Sequence, residues 1–106
     1  MAEIFHLKRG DTSTALLYRL DPAVDLTGAS IVFNMRARGG RPVLDRVPAV
    51  IDGAPADGVV RYDWGATEVA DPGLFEAEFE VSYADGSIET FPNSDFIVIS
   101  IAGDIA

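Results

Sequence analysis

The sequence predicts an all-β fold, an immunoglobulin-like sandwich of about seven to eight antiparallel strands. Two observations carry this expectation. Short blocks of alternating apolar and polar residues recur along the chain, and each stops at Gly, Pro or Asp, with turn signals roughly every 8–12 residues. No long apolar period of helical spacing competes with them.

Taken in order, Ile4 to Leu7 opens the chain and ends at Arg9-Gly10-Asp11-Thr12, where Gly admits a positive φ and Asp or Thr can cap its own turn. Ala15 to Leu20 forms the second block and stops at Asp21-Pro22. After Asp25-Leu26-Thr27-Gly28-Ala29, the run Ser30 to Arg36 places Ile31, Phe33 and Met35 on one face, the expected core face. Gly39-Gly40 marks a hairpin turn into Pro42 to Ile51, where Pro48 argues for an edge strand or a bulge. A loop of Asp, Gly, Ala and Pro leads to Val59 to Trp64. Leu74 to Tyr83 is the clearest strand, with Phe75, Ala77, Phe79, Val81 and Tyr83 on one parity and Glu76, Glu78, Glu80 and Ser82 on the other. Asp85-Gly86 suits a tight hairpin into Ile88 to Phe91. Phe96 to Ile101, nearly continuous in apolar residues, predicts burial on both faces. Asp71-Pro72-Gly73-Leu74-Phe75 has the form of a tyrosine corner with Phe in place of Tyr, so the corner forms by packing alone.

The 106 residues are 48% hydrophobic and 24% charged, the makeup of one globular domain, so the strand pattern is expected to form a single immunoglobulin-like domain spanning 1–106. Eight Lys and Arg against seventeen Asp and Glu give a formal charge of −9. Counterion release on phosphates needs a basic surface, so neither nucleic acid nor an anionic membrane is an expected partner. The absence of Cys excludes disulfides, thiol catalysis and thiolate-held metals. Neither a signal peptide nor a spanning segment is expected, because charges interrupt the N-terminal apolar residues and no apolar run is long enough.

The chemistry available to the side chains points to binding rather than catalysis. His6 is the only histidine, and no strained nucleophile elbow accompanies it, so no triad is expected and the protein is not an enzyme on this reading. Glu76, Glu78 and Glu80 are collinear on one strand, about 7 Å apart, unlike the facing acids of a glycosidase. They read as a solvated face, with Arg61, Arg36 or Lys8 as candidate cross-strand partners. The loop acids Asp52, Asp57, Asp63, Glu68 and Asp71 lack calcium-loop spacing, so neither a metal nor a cofactor is expected. Arg36, Arg38, Arg41 and Arg46 form the basic cluster. Through Arg46 the chain holds seven basic against five acidic residues, and beyond it one against twelve. That asymmetry suits head-to-tail contacts between copies or with a neighbouring protein, and makes the four arginines and the three glutamates candidate interaction surfaces. Tyr18, Tyr62 and Trp64 could supply the exposed aromatic platform of a carbohydrate-binding module.

Several segments together resemble a family. Arg9-Gly10-Asp11-Thr12, Asp25-Leu26-Thr27-Gly28-Ala29 leading into Ile31 to Arg36, and Val59 to Trp64 are similar to the immunoglobulin-like N-terminal domain of phage baseplate upper proteins. Gly73 to Phe79 and Gly86 to Pro92 extend the likeness over nearly the whole chain. The resemblance implies a virion structural protein of a phage or prophage, an accessory tail or baseplate component that docks onto other virion proteins. It further implies a homo-oligomer or multicopy component, located in the virion and assembled in the host bacterial cytoplasm. A capsid decoration or head-tail neck protein is the alternative that shares the fold. The matching residues are turn and core positions, and the family offers no catalytic set.

Overall fold

A computed structural model of the chain describes residues 3–103. Among the described residues the strands are β1 (Ile4–Lys8), β2 (Leu16–Arg19), β3 (Ser30–Ala37), β4 (Pro42–Ile51), β5 (Val59–Tyr62), β6 (Gly73–Ser82), β7 (Ile88–Phe91) and β8 (Ile97–Ala102). Two short 3-10 turns, Pro55–Asp57 and Ala66–Val69, lie in the loops flanking β5. The all-β sandwich expected from the alternation is therefore the fold observed.

One layer runs β1-β8-β6-β3-β4, and the other runs β4-β5-β2. β6 is long enough to hold two neighbours on one flank, β8 along Gly73 to Ala77 and β7 along Phe79 to Ser82. β4 belongs to both layers. Its first part pairs with β3, and Val50 and Ile51 pair with β5. The bend between them is marked by register shifts beside Met35 and by Arg46 at φ 53, so the break sits just ahead of Pro48. Pairings are antiparallel except β1 with β8, which run parallel. That exception requires the two ends of the chain to meet, a non-local contact that strand patterning does not encode.

The parity rule explains the core. Ile31, Phe33 and Met35 of β3 and Phe75, Ala77, Phe79 and Val81 of β6 are buried, while the intervening Asn34, Arg36 and glutamates are half-buried on the outer face. Phe33 centres an aromatic cluster, with Tyr62 at 4.4 Å, Phe79 at 5.0 Å and Trp64 at 5.7 Å between ring centroids. Tyr18 stacks on Phe79 at 5.9 Å, so rings of β2 and β5 meet rings of β3 and β6 and join the layers. Phe33, Phe79 and Phe91 are wholly buried, worth roughly 1.5–3 kcal/mol each in apolar transfer. Trp64 closes one end against Phe5 and Tyr62, with its indole Nε1 buried and, among the described residues, without a hydrogen-bond partner. Tyr83 packs half-buried against the rim of this core, whereas Phe96, also expected inside, lies on the outer face over Arg36.

Candidate functional site

The register of β3 against β6 sets Arg36 opposite Glu76, Asn34 opposite Glu78 and Val32 opposite Glu80. Strand periodicity puts all six on the outer face, so the two charged segments that are far apart in sequence become one surface. Arg36 Nε donates to Glu76 Oε1 at 3.0 Å, and Arg38 lies 3.9 Å from the other carboxylate oxygen. Arg46 reaches across from β4 and donates to Glu80. The bulge that carries Arg46 is held by its own backbone N–H, which donates to Asn34 Oδ1 at 2.7 Å. Arg41 is exposed beside the β3-β4 hairpin turn and makes no ion pair among the described residues.

These side chains line a cleft of about 310 Å³, with Asn34, Arg36, Arg46, Glu76, Glu78 and Glu80 supplying its polar groups. Phe96 forms one wall, and the Arg36 guanidinium sits 4.9 Å from its ring centroid. The opening follows from the sheet. β8 leaves β6 after Ala77 and β7 joins at Phe79, so Glu78 lies at the seam between them, which the connector from Pro92 to Asp95 bridges in sequence. Of the three glutamates, Glu76 and Glu80 have arginine partners. Among the described residues Glu78 has only the Asn34 amide, which donates at 3.4 Å. The arginines of the pairs keep about half of their side-chain surface in water, so each pair contributes at most about 1 kcal/mol.

The predicted site residues are thus brought together, with a correction to their meaning. The basic hairpin and the acidic strand form one surface rather than two separate poles, because Arg36, Arg38 and Arg46 lie against Glu76 and Glu80 of β6. Of the cross-strand partners anticipated for the glutamates, Arg36 serves as one, whereas Arg61 pairs with Asp52 and Asp63 on the opposite layer. Asn34 and Phe96 were missed as site residues. Asn34 carried a signal, a polar residue at outward parity between Val32 and Arg36, while Phe96 was hidden by its continuity with the apolar run of β8.

The aromatic platform is also corrected. Tyr18, Tyr62 and Trp64 are 6%, 4% and 5% exposed, so none presents a ring face to a sugar, and the carbohydrate-binding expectation that rested on them falls. Tyr62 Oη donates to Glu68 Oε1 at 2.8 Å, and burial together with that carboxylate pushes its phenol well above the usual range. The same glutamate accepts the Gly65 N–H at 2.7 Å and so ties the Ala66–Val69 turn to β5. The loop acids are accordingly spread over separate partners. Among the described residues no three His, Asp or Glu side chains converge in a way that could hold a metal ion. His6 is exposed on β1, outside the cleft lining.

No family model matches the chain, and no curated protein matches its sequence. Among solved structures it is similar to CopC from Methylosinus trichosporium OB3b, with a TM-score of 0.58 and 16% identity, over all of this chain and 89% of that one. At that identity the likeness establishes a shared β-sandwich fold. It overturns the expected virion role, in tail, baseplate, head decoration or neck, since the structural likeness found is to CopC and not to a phage protein. The physical reason lies in what the resemblance was built on: turn glycines and alternating core residues are demanded by a sandwich whatever its task.

Proposed function

We propose that this protein is a non-catalytic binding domain whose recognition site is the cleft between β4, β3 and β6, and that the cleft takes a cationic group, the guanidinium or ammonium of a ligand. The observation that carries the reading is Glu78. It is a half-buried carboxylate at the centre of the cleft, flanked by an aromatic wall, and among the described residues it has no cation of its own. The lining carries Asp45, Glu76, Glu78 and Glu80 against Arg36 and Arg46, an acidic excess that favours a positive guest. Phe96 offers its ring to such a guest if Arg36 swings aside, at a cost limited by the weakness of its exposed pair.

The test is an NMR titration of the full chain with N-acetylarginine amide, with the lysine and glutamate analogues run in parallel. Expected are saturable shifts at the Asn34 side-chain amide and the backbone amides of Ala77 to Phe79, present for the two cationic probes, absent for the anionic one, and lost in Glu78→Gln. Shifts that map elsewhere, or that survive Glu78→Gln, would overturn the assignment.

A further inference from the structure

A second cavity, of about 340 Å³, lies where the start of β1, the turn after β2 and the connector between β7 and β8 meet. Glu3, Asp21 and Asp95 stand in its wall, and among the described residues no Lys, Arg or His lines it. None of these three carboxylates has a cation or a hydrogen-bond donor among the described residues.

Tyr18 sets this cavity apart from a solvated acidic surface. The residue is 6% exposed and its ring stacks on Phe79 inside the core, yet it also lines the cavity. The other two tyrosines, Tyr62 and Tyr83, donate the phenol to a glutamate. Tyr18 has no hydrogen-bond partner among the described residues, and its hydroxyl is not sealed in by its neighbours. The little surface that it keeps therefore brings the hydroxyl to the cavity. Burial, and after it the charges of Glu3 and Asp21, pushes this phenol up, so it stays neutral and offers a lone pair as well as a proton. Asp95 takes no part in that shift, which sets it apart from the other two acids as a separate anionic centre.

The chemistry of the wall selects the guest. Three carboxylates, the phenol oxygen and the Asn93 amide oxygen all accept, while the Asn93 Nδ2 is spent on Glu89 and on the Thr90 carbonyl. Such a wall calls for N–H donors carrying positive charge. A metal ion does not fit, because among the described residues no three acidic groups converge on one point. The positive charge must be divided over separate centres. Pro22, Pro92 and Phe96 supply an apolar part of the lining, which suits methylenes joining those centres.

We infer that this cavity binds a linear oligoamine, one ammonium held by Tyr18 Oη with Glu3 and Asp21 and the next by Asp95. A guest with a single charge meets one centre at a time and is not held at saturation. The inference is independent of the Glu78 cleft, since the two cavities share only Phe96 in their linings.

Calorimetric titration of the full chain with 1,4-diaminobutane in 0.15 M salt tests it, with n-butylamine, 1,4-butanediol and calcium chloride run in parallel and amide shifts mapping the site. Expected is one saturable diamine site, at least about fivefold tighter than any binding of the monoamine, with no heat from the diol or from calcium. The shifts should fall on the backbone amides of Asp21 and of Asn93 to Phe96. Tyr18→Phe keeps the ring stack, and Asp95→Asn puts at φ 67 a residue that accepts the left-handed region, so both variants fold. Each weakens diamine binding about three- to tenfold, whereas Glu78→Gln leaves it unchanged. Equal affinity for monoamine and diamine, calcium bound at the same residues, or diamine binding untouched by Tyr18→Phe and Asp95→Asn would each overturn the inference. Loss of diamine binding in Glu78→Gln would also overturn it, by placing the guest in the cleft.

Discussion

Tyr83 and Tyr62 each close a short span by donating the phenol to a glutamate six residues on, Glu89 and Glu68 respectively. For Tyr83, burial first and the Glu89 carboxylate second push the phenol up to about 12. The sign of the consequence is fixed by linkage. Below pH 10 the folded and unfolded chains both keep the proton, and between pH 10 and about 12 the unfolded chain gives it up first. Stability contributed by this group is thus present below pH 10 and lost as pH rises toward 12. Urea unfolding from pH 8 to 11 should show a steady loss above pH 10, shallower in Tyr83→Phe; equal slopes in the two proteins would show that the hydroxyl is not responsible. At the acid end, Thr27 and Ser87 donate to Asp25 and Asp85 and hold those carboxyls below their usual range, so their share is lost as pH falls through the lowered values. The burial of Tyr62 was itself legible, because it shares parity with Val60 and Trp64, as Tyr18 does with Leu16 and Leu20. Residue type alone suggests exposed rings at these positions, whereas the alternation places them in the core.

At the scale of elements, the strand blocks were readable because each has one dry face and a chemically obvious stop. β3, β4 and β7 begin and end close to the positions that alternation indicates. The cleft was not readable in the same way. Its existence depends on β8 and β7 sharing a flank of β6, and on the pairing of Arg46 with Glu80, thirty-four positions away. Local pattern says which residues face outward, and only the register says which of them meet. One loop position carries a sharper demand than the sequence suggested. Gly58 ends the Pro55–Asp57 turn at φ 67, and a Cβ there would lie 2.9 Å from the Val24 carbonyl oxygen. Gly86, at φ 90, has nothing within 4 Å of such a Cβ. Gly86→Ala should therefore cost about 1–2 kcal/mol from backbone conformation alone, and Gly58→Ala distinctly more, because a backbone atom must also move. Chemical denaturation of the two variants gives the comparison, and equal losses would mean that the Val24 segment yields freely.

For the molecule as a whole, charge sets the balance. A net −9 on 106 residues produces self-repulsion in the folded state, whereas the ion pairs on both layers are exposed enough to be worth little. Salt shortens the screening length from about 30 Å at 0.01 M to about 8 Å at 0.15 M, which weakens the long-range repulsion more than the contacts. The thermal midpoint should consequently rise over that interval, and a fall would mean that the cross-strand pairs outweigh the repulsion.

Trp64, the only tryptophan, belongs to this scale as well. Its ring lies between Phe5 and Phe33 of one layer and Tyr62 of the other, with an indole N–H that meets no acceptor among the described residues. Indole emission moves to longer wavelength when water reorients around the excited dipole, and the ring here is buried away from bulk solvent. The chain thus carries a built-in optical gauge of the spacing between its sheets: any loosening that admits solvent registers as a red shift, even while the strands themselves remain intact.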